Sequence, residues 1–105
     1  MLQLDENANG KNIELALGQQ FQICLPEIPT TGFQWSLTSD GEPTCTQLNS
    51  SYTAANTRYD GEGSHCWQFQ AAQAGSANIA LVYQRPWEHA ATPARSFTLA
   101  VHVQA

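Results

Sequence analysis

The residues of this chain that could take part in catalysis are few, and their spacing does not favour an enzyme. His65 and Cys66 are adjacent, and neighbouring side chains on a strand point to opposite faces, so they form a poor pair of base and nucleophile. His89 has no carboxylate or cysteine near it at a metal-ligand spacing. A zinc site assembled from His65, Cys66 and His89 stays open as a minor alternative. We therefore predict no catalytic residue, no metal and no cofactor.

The cysteines could instead be structural. Cys24, Cys45 and Cys66 are odd in number and lack a Cys-x-x-Cys spacing, so they define neither a disulfide framework nor a zinc site. Free cysteine is among the residue types most often buried, and we interpret all three as small core residues. A bridge between Cys24 and Cys66 stays open, because it requires only that their strands be neighbours.

The charge balance excludes several classes of partner. The chain has 105 residues and a formal net charge of −5. Its basic residues are Lys11, Arg58, Arg85 and Arg95. They form no cluster that could neutralise a run of phosphates, so nucleic acid and anionic membranes are excluded as partners. Charged residues make up 12% of the chain, against about 25% in an average globular domain, and this composition suits a strand-rich protein.

The length, together with the absence of repeats and linkers, indicates one domain over residues 1–105. No apolar stretch of transmembrane length occurs, and the N-terminus has neither the basic nor the apolar segment of a signal peptide. The compartment is left open: a cytoplasmic protein, or the mature form of a periplasmic or secreted one.

Alternation of apolar and polar residues predicts the elements that position any site. Strands are expected around residues 13–17, 21–25, 33–37, 67–71, 77–83 and 97–103, with a weaker one within 44–55. The first two are expected to form a hairpin through residues 18–20, and the runs 67–71 and 77–83 another through residues 74–76. The strand at 77–83 is apolar on both faces and should be central. The pattern predicts an all-β fold, an immunoglobulin-like antiparallel β-sandwich of about seven strands with no helix.

Three connections between these strands are richer in special residues than a simple turn requires. The first, residues 26–32, combines prolines of fixed φ with the β-branched Thr30 and Thr31 and ends at Gly32, so it is a stiff protrusion or an ordinary loop. The second surrounds Gly61, Glu62 and Gly63. It is a flexible turn, or an extended segment whose backbone can pair with a partner.

The third connection begins with Arg85, Pro86 and Trp87. Trp87 is either a plug over the open end of the sandwich or an exposed aromatic anchor for a partner, and Arg85 could hold neighbouring loop carbonyls. Trp35 and Trp67 lie inside alternating runs and are expected in the core. Loops of a sandwich cluster at its two ends, so the three connections could form one surface.

With these loops on such a fold, the sequence resembles the chagasin family, inhibitors of papain-like cysteine peptidases. The family pattern is Asn-Pro-Thr-Thr-Gly-Tyr/Phe, then Gly-x-Gly-Gly, then Arg-Pro-Trp. Residues 29–33 match the first motif, with Ile28 in place of Asn; residues 61–64 match the second, with Ser64 in place of the last Gly; residues 85–87 match the third fully. The order and spacing of the motifs agree over residues 13–105.

The resemblance implies a reversible, tight-binding inhibitor, monomeric when free, whose three loops form a wedge across the active-site cleft of a papain-like peptidase. Thr31 would lie near the catalytic cysteine of the peptidase, with Gly32 allowing close approach of the backbone, and Trp87 would pack on one side of the cleft. The peptidase-binding residues implied are Pro29, Thr30, Thr31, Gly32, Phe33, Gly61, Glu62, Gly63, Ser64, Arg85, Pro86 and Trp87. The alternative function is an immunoglobulin-like adhesion or carbohydrate-binding module, in which Trp87 and Tyr59 would stack on a sugar.

Overall fold

The computed structural model describes residues 2–27, 32–54, 63–85, 87 and 94–105. Its strands are β1 (Leu2–Leu4), β2 (Lys11–Ala16), β3 (Gln20–Glu27), β4 (Gln34–Asp40), β5 (Cys45–Ala54), β6 (Gly63–Ala71), β7 (Gly75–Gln84) and β8 (Arg95–Gln104). A 3-10 turn, Glu6–Ala8, joins β1 to β2 and is capped by the Asp5 carboxylate, which accepts a hydrogen bond from the Asn7 amide. Within the described ranges, no helix is long and apolar enough to cross a membrane.

The strands form two four-stranded sheets. The order in the first sheet is β1-β3-β6-β5, and in the second it is β2-β8-β7-β4. The all-β, immunoglobulin-like sandwich is therefore confirmed, and β7 is an inner strand as predicted. Two outer pairs, β1 with β3 and β2 with β8, are parallel within the otherwise antiparallel sandwich. The short β1 has no counterpart among the predicted strands.

The core lies between the sheets and is built from the residues that alternate inward. In β3, for example, Phe21, Ile23 and Leu25 are buried while the residues between them are only partly covered. The rings of Phe21 and Phe69 stack within the first sheet, with centroids 5.2 Å apart. The buried apolar residues are Ala8, Leu15, Phe21, Ile23, Leu25, Trp35, Cys45, Trp67, Phe69, Ala71, Ile79, Leu81, Phe97, Leu99, Val101 and Val103. Trp35 and Trp67 are thus core residues, as predicted.

The two predicted hairpins are wrong, because both turns pass from one sheet to the other. Strand β2 pairs with β8, while β3 pairs with β6. At the turn between β2 and β3, Gly18 has φ +87° and its amide donates to the Ala71 carbonyl at the end of β6. Alternation shows only which face of a strand is buried. It is the same whether two strands pair in one sheet or face each other across the core, so it cannot distinguish a hairpin from a crossing between sheets.

The turn between β6 and β7 likewise leads from the first sheet to the second. The amides of Ala72 and Gln73 both donate to the Thr44 carbonyl, which lies just before β5. These hydrogen bonds satisfy backbone groups that a hairpin ladder would otherwise have paired.

The cysteines divide into two kinds. Cys45 is buried in the core with a free thiol, as predicted. The core interpretation is wrong for Cys24 and Cys66, which lie opposite each other on β3 and β6, away from the core, and form a disulfide. Adjacent antiparallel strands bring the two residues within bridging distance, with their Cα atoms 4.1 Å apart.

Candidate functional site

All three connections begin and end at the same end of the sandwich. In the first sheet, the end of β3 at Glu27 and the end of β5 at Ala54 both pair with Gly63, the start of β6. In the second sheet, the start of β4 at Gln34 pairs with Gln84, the end of β7. We call the connections loop 1 (residues 28–33), loop 2 (55–62) and loop 3 (85–94).

The structure describes half of the predicted peptidase-binding residues. Those described are Gly32, Phe33, Gly63, Ser64, Arg85 and Trp87. Those outside the described residues are Pro29, Thr30, Thr31, Gly61, Glu62 and Pro86. The described members lie in or beside the three loops, so the fold brings the described part of each motif to one end of the molecule.

Loops 1 and 3 contact each other through Gly32 and Trp87. Gly32 has φ +82°, and a Cβ atom built on it would lie 2.8 Å from Cη2 of Trp87. A side chain at this position would therefore strain the backbone and collide with the indole ring. The absence of a side chain at Gly32 permits the six-membered ring of the indole to lie close to the backbone of loop 1, a role that the sequence analysis did not predict.

Trp87 is nevertheless largely open to solvent. It is 68% exposed, more than any other large apolar residue among those described. A plug that closes the end of the sandwich would lose most of its surface to the core, as Trp35 does at 7% exposure. The geometry favours the reading of Trp87 as an exposed aromatic anchor.

A row of side chains in ring contact connects loops 1 and 3 to the strands that carry them. The guanidinium of Arg85 lies over the ring of Phe33, 4.6 Å from its centroid. Phe33 stacks on Tyr83 at 5.4 Å, and Tyr83 in turn contacts Trp35 at 4.9 Å. Cation–π and aromatic contacts of this kind orient side chains as well as burying their surface. Arg85 thus connects the start of loop 3 to the end of loop 1.

Loop 1 is also closed at its base by hydrogen bonds to Trp35. The Trp35 amide donates to Oε1 of Glu27 at 2.9 Å, and its indole Nε1 donates to the Pro26 carbonyl, also at 2.9 Å. Oε2 of Glu27 lies 3.3 Å from Nδ1 of His65, and the His65 ring stacks on Trp67 with centroids 4.1 Å apart. The pairing of Glu27 with His65 was not predicted, although its signal was present. In the alternation of β3, residue 27 occupies an inward position, where a carboxylate requires a partner.

The structure removes one of the three ligands of the zinc site that the sequence analysis left open. Cys66 is bonded to Cys24 and has no thiolate to offer a metal. His65 is held by Glu27, and His89 lies outside the described residues. Across the described part of the chain, no group of three or more His, Cys, Asp or Glu residues is placed to hold a metal ion.

A known protein family matches the part of the chain that carries the three loops. The sequence model of the Chagasin family peptidase inhibitor I42 matches residues 14–101. The chain belongs to the chagasin family. The match begins in β2 and ends in β8, so it includes all three loops and the core that supports them. Because this is a family of peptidase inhibitors, the prediction that the chain is not an enzyme is confirmed.

Relatives and solved structures agree with this assignment. Amoebiasin-1 of Entamoeba histolytica is 34% identical over 104 residues, covering 98% of this chain and all of the relative. Chagasin of Trypanosoma cruzi is 28% identical over 96 residues, covering 87% of both chains. The crystal structure of the cysteine protease inhibitor EhICP2 of E. histolytica superposes with a TM-score of 0.85 at 23% identity, covering 98% of this chain and 94% of that one. At 23% identity, the likeness to EhICP2 shows a shared fold.

Proposed function

We propose that this chagasin-family protein is a reversible, tight-binding inhibitor of papain-like cysteine peptidases, and that loops 1, 2 and 3 together occlude the active-site cleft. The observation that carries the proposal is the packing of the exposed Trp87 against Gly32. It joins two of the three family motifs into one surface at the end of a rigid sandwich. The resemblance of the motifs and the family of the chain supply the class of partner.

In this proposal, the first motif, Pro29 to Phe33, occupies the centre of the cleft. The second, Gly61 to Ser64, lies along one side and uses backbone contacts, and the third, Arg85 to Trp87, covers the other side. Trp87 is the aromatic anchor, and Arg85 acts through its contact with Phe33. None of these residues performs chemistry on the peptidase.

Rigidity is the physical basis of tight binding in this scheme. Loops that are already held in position lose little conformational entropy when they dock, so an interface of about 1,600 Å² can give high affinity. The ring contacts of Arg85, Phe33 and Tyr83 and the closure of loop 1 by Glu27 hold the described parts of loops 1 and 3 before any partner is present. With 12% charged residues in the chain, electrostatic attraction contributes less than shape.

Titration of papain with the purified protein tests the proposal. We expect peptidase activity to fall with a tight-binding curve at submicromolar protein and to return after large dilution, since no covalent bond forms. A serine peptidase under the same conditions is the control and should keep its activity. Full papain activity at micromolar protein would refute the proposed function, and binding to a glycan array instead would support the carbohydrate-binding alternative.

A further inference from the structure

Glu27 is a buried carboxylate at the boundary between the core and the end of the sandwich that carries the three loops. It is 6% exposed and occupies the inward register of β3, following Phe21, Ile23 and Leu25. Burial of a carboxylate is costly unless hydrogen bonds replace its water. Both of its oxygens have partners: the Trp35 amide at 2.9 Å and His65 Nδ1 at 3.3 Å.

These two contacts connect both sides of loop 1 to the strand that follows loop 2. Glu27 immediately precedes loop 1, and Trp35 is the second residue after it. His65 is the third residue of β6, which begins where loop 2 ends. A single carboxylate therefore joins the two ends of loop 1 and relates them to the base of loop 2.

The contacts of Glu27 fix the geometry of the base of loop 1 as well as satisfying the carboxylate. An apolar residue at this inward position of β3 would avoid the desolvation cost of a buried carboxylate. An apolar residue cannot accept the hydrogen bond that the Trp35 amide donates to Glu27, eight residues earlier in the sequence. The carboxylate is thus the group that closes the loop.

We propose that Glu27 is a positioning residue for inhibition, which holds the base of loop 1 in its binding-competent geometry through Trp35 and orients it relative to loop 2 through His65. This inference rests on the proposed function. Without the carboxylate, only a fraction of the free molecules would have loop 1 in the competent geometry, and apparent affinity falls in proportion to that fraction. The loss is expected in the association rate, whereas loss of a direct contact such as Trp87 raises the dissociation rate.

The test compares Glu27→Ala and Glu27→Gln with Glu14→Ala as the matched control, because Glu14 is an exposed carboxylate on β2, away from the three loops. Amide hydrogen exchange at Trp35 reports the closure directly, and stopped-flow binding to papain gives the two rate constants. In Glu27→Ala we expect fast exchange at Trp35 and an association rate about tenfold lower, with an unchanged dissociation rate. Glu27→Gln keeps an acceptor for the Trp35 amide, and its NH2 group can donate to Nδ1 of His65, so it should restore both readouts. Glu14→Ala should match the wild type.

His65→Phe provides the second arm and also serves if Glu27→Ala does not fold. The phenyl ring can keep the stack on Trp67 but cannot bond to Glu27, so we expect slower association with the Trp35 amide still protected. Unchanged association rates in folded Glu27→Ala, or in folded His65→Phe, would overturn the corresponding half of the inference. Exchange at Trp35 does not require a peptidase. A protected Trp35 amide in the wild type together with no inhibition of papain would therefore show that the closure exists and that the proposed function fails.

Discussion

Gly32 and Trp87 lie so close together that a Cβ atom on the glycine would be 2.8 Å from the indole ring. The contact links the end of the first family motif to the end of the third. It makes the position of the exposed tryptophan depend on the absence of a side chain in a different loop.

Gly32→Ala is therefore expected to damage the binding surface more than its small size suggests. The left-handed backbone alone costs about 1–2 kcal/mol for a residue with a Cβ, and the methyl group also displaces Trp87. Gly18→Ala is the matched control, because Gly18 has φ +87° with nothing within 4 Å of the added Cβ. Thermal unfolding should show similar losses for both variants, whereas the inhibition constant for papain should rise about tenfold or more only for Gly32→Ala. Equal inhibition constants would contradict the role assigned to the contact.

Trp87→Ala separates binding from stability. Because Trp87 is 68% exposed, its removal should change the free energy of unfolding by no more than about 0.5 kcal/mol, while binding to papain weakens by at least about 2 kcal/mol if the residue is an anchor. Leu17→Ala, at another exposed apolar residue (54%) in the turn between β2 and β3, should leave both quantities unchanged. A variant that loses stability but keeps its affinity would identify Trp87 as part of the structural core instead.

The disulfide between Cys24 and Cys66 should contribute to stability by constraining the unfolded chain. For a sequence separation of 42 residues, the chain-entropy argument gives a contribution of about 4 kcal/mol, at the upper end of the range of about 2–4 kcal/mol that is typical of disulfides. The double variant Cys24→Ala, Cys66→Ala should unfold at correspondingly lower denaturant, and reductant should destabilise the wild type but not the variant. Thiol titration in denaturant provides the check on the covalent state, with one reactive thiol before reduction and three after it.

Because Cys45 is buried, we predict that the protein becomes less stable at alkaline pH. Burial raises the pKa of its thiol above the ordinary value of 9.0, so the folded protein keeps the proton that the unfolded chain loses. The unfolded state then binds fewer protons, and the free energy of unfolding falls as the pH rises above about 9. Cys45→Ala should be less stable overall because of the cavity but should show a shallower fall over that pH range. Parallel curves for the two proteins would refute this effect. Tyr52, whose pKa is also raised, is present in both proteins and cancels in the comparison.

The sequence pattern predicted the strands and the core, because burial on one face produces alternation that can be read locally. It did not predict which strands are neighbours. The runs 13–17 and 21–25 were expected to pair, whereas β2 and β3 lie in different sheets. For the same reason the disulfide was left as an open alternative and the contact between Glu27 and His65 was not predicted, since both depend on β3 lying beside β6.

The candidate site was predicted from motifs, and its internal contacts were not. Arg85 was expected to hold loop carbonyls, and the structure places its guanidinium over the ring of Phe33. Gly32 was assigned to approach by a partner, and the structure adds that it accommodates Trp87. Contacts between residues from separate loops depend on three-dimensional placement, which spacing along one chain does not encode.

The passage of the chain from one sheet to the other between β6 and β7 has a consequence for how this inhibitor can change. Loop 2 joins two strands of the first sheet, and loop 3 joins two strands of the second. The separation of the strand ends that carry these two loops is therefore set by the distance between packed sheets, about 10 Å, and by the volume of side chains such as Phe21 and Phe97. Under the proposed function, substitutions within the loops change which groups contact the peptidase, whereas the width of the cleft that the loops can fill depends on the thickness of the hydrophobic core. Adaptation to a wider or narrower cleft should accordingly appear as changes in buried residues remote from the binding surface.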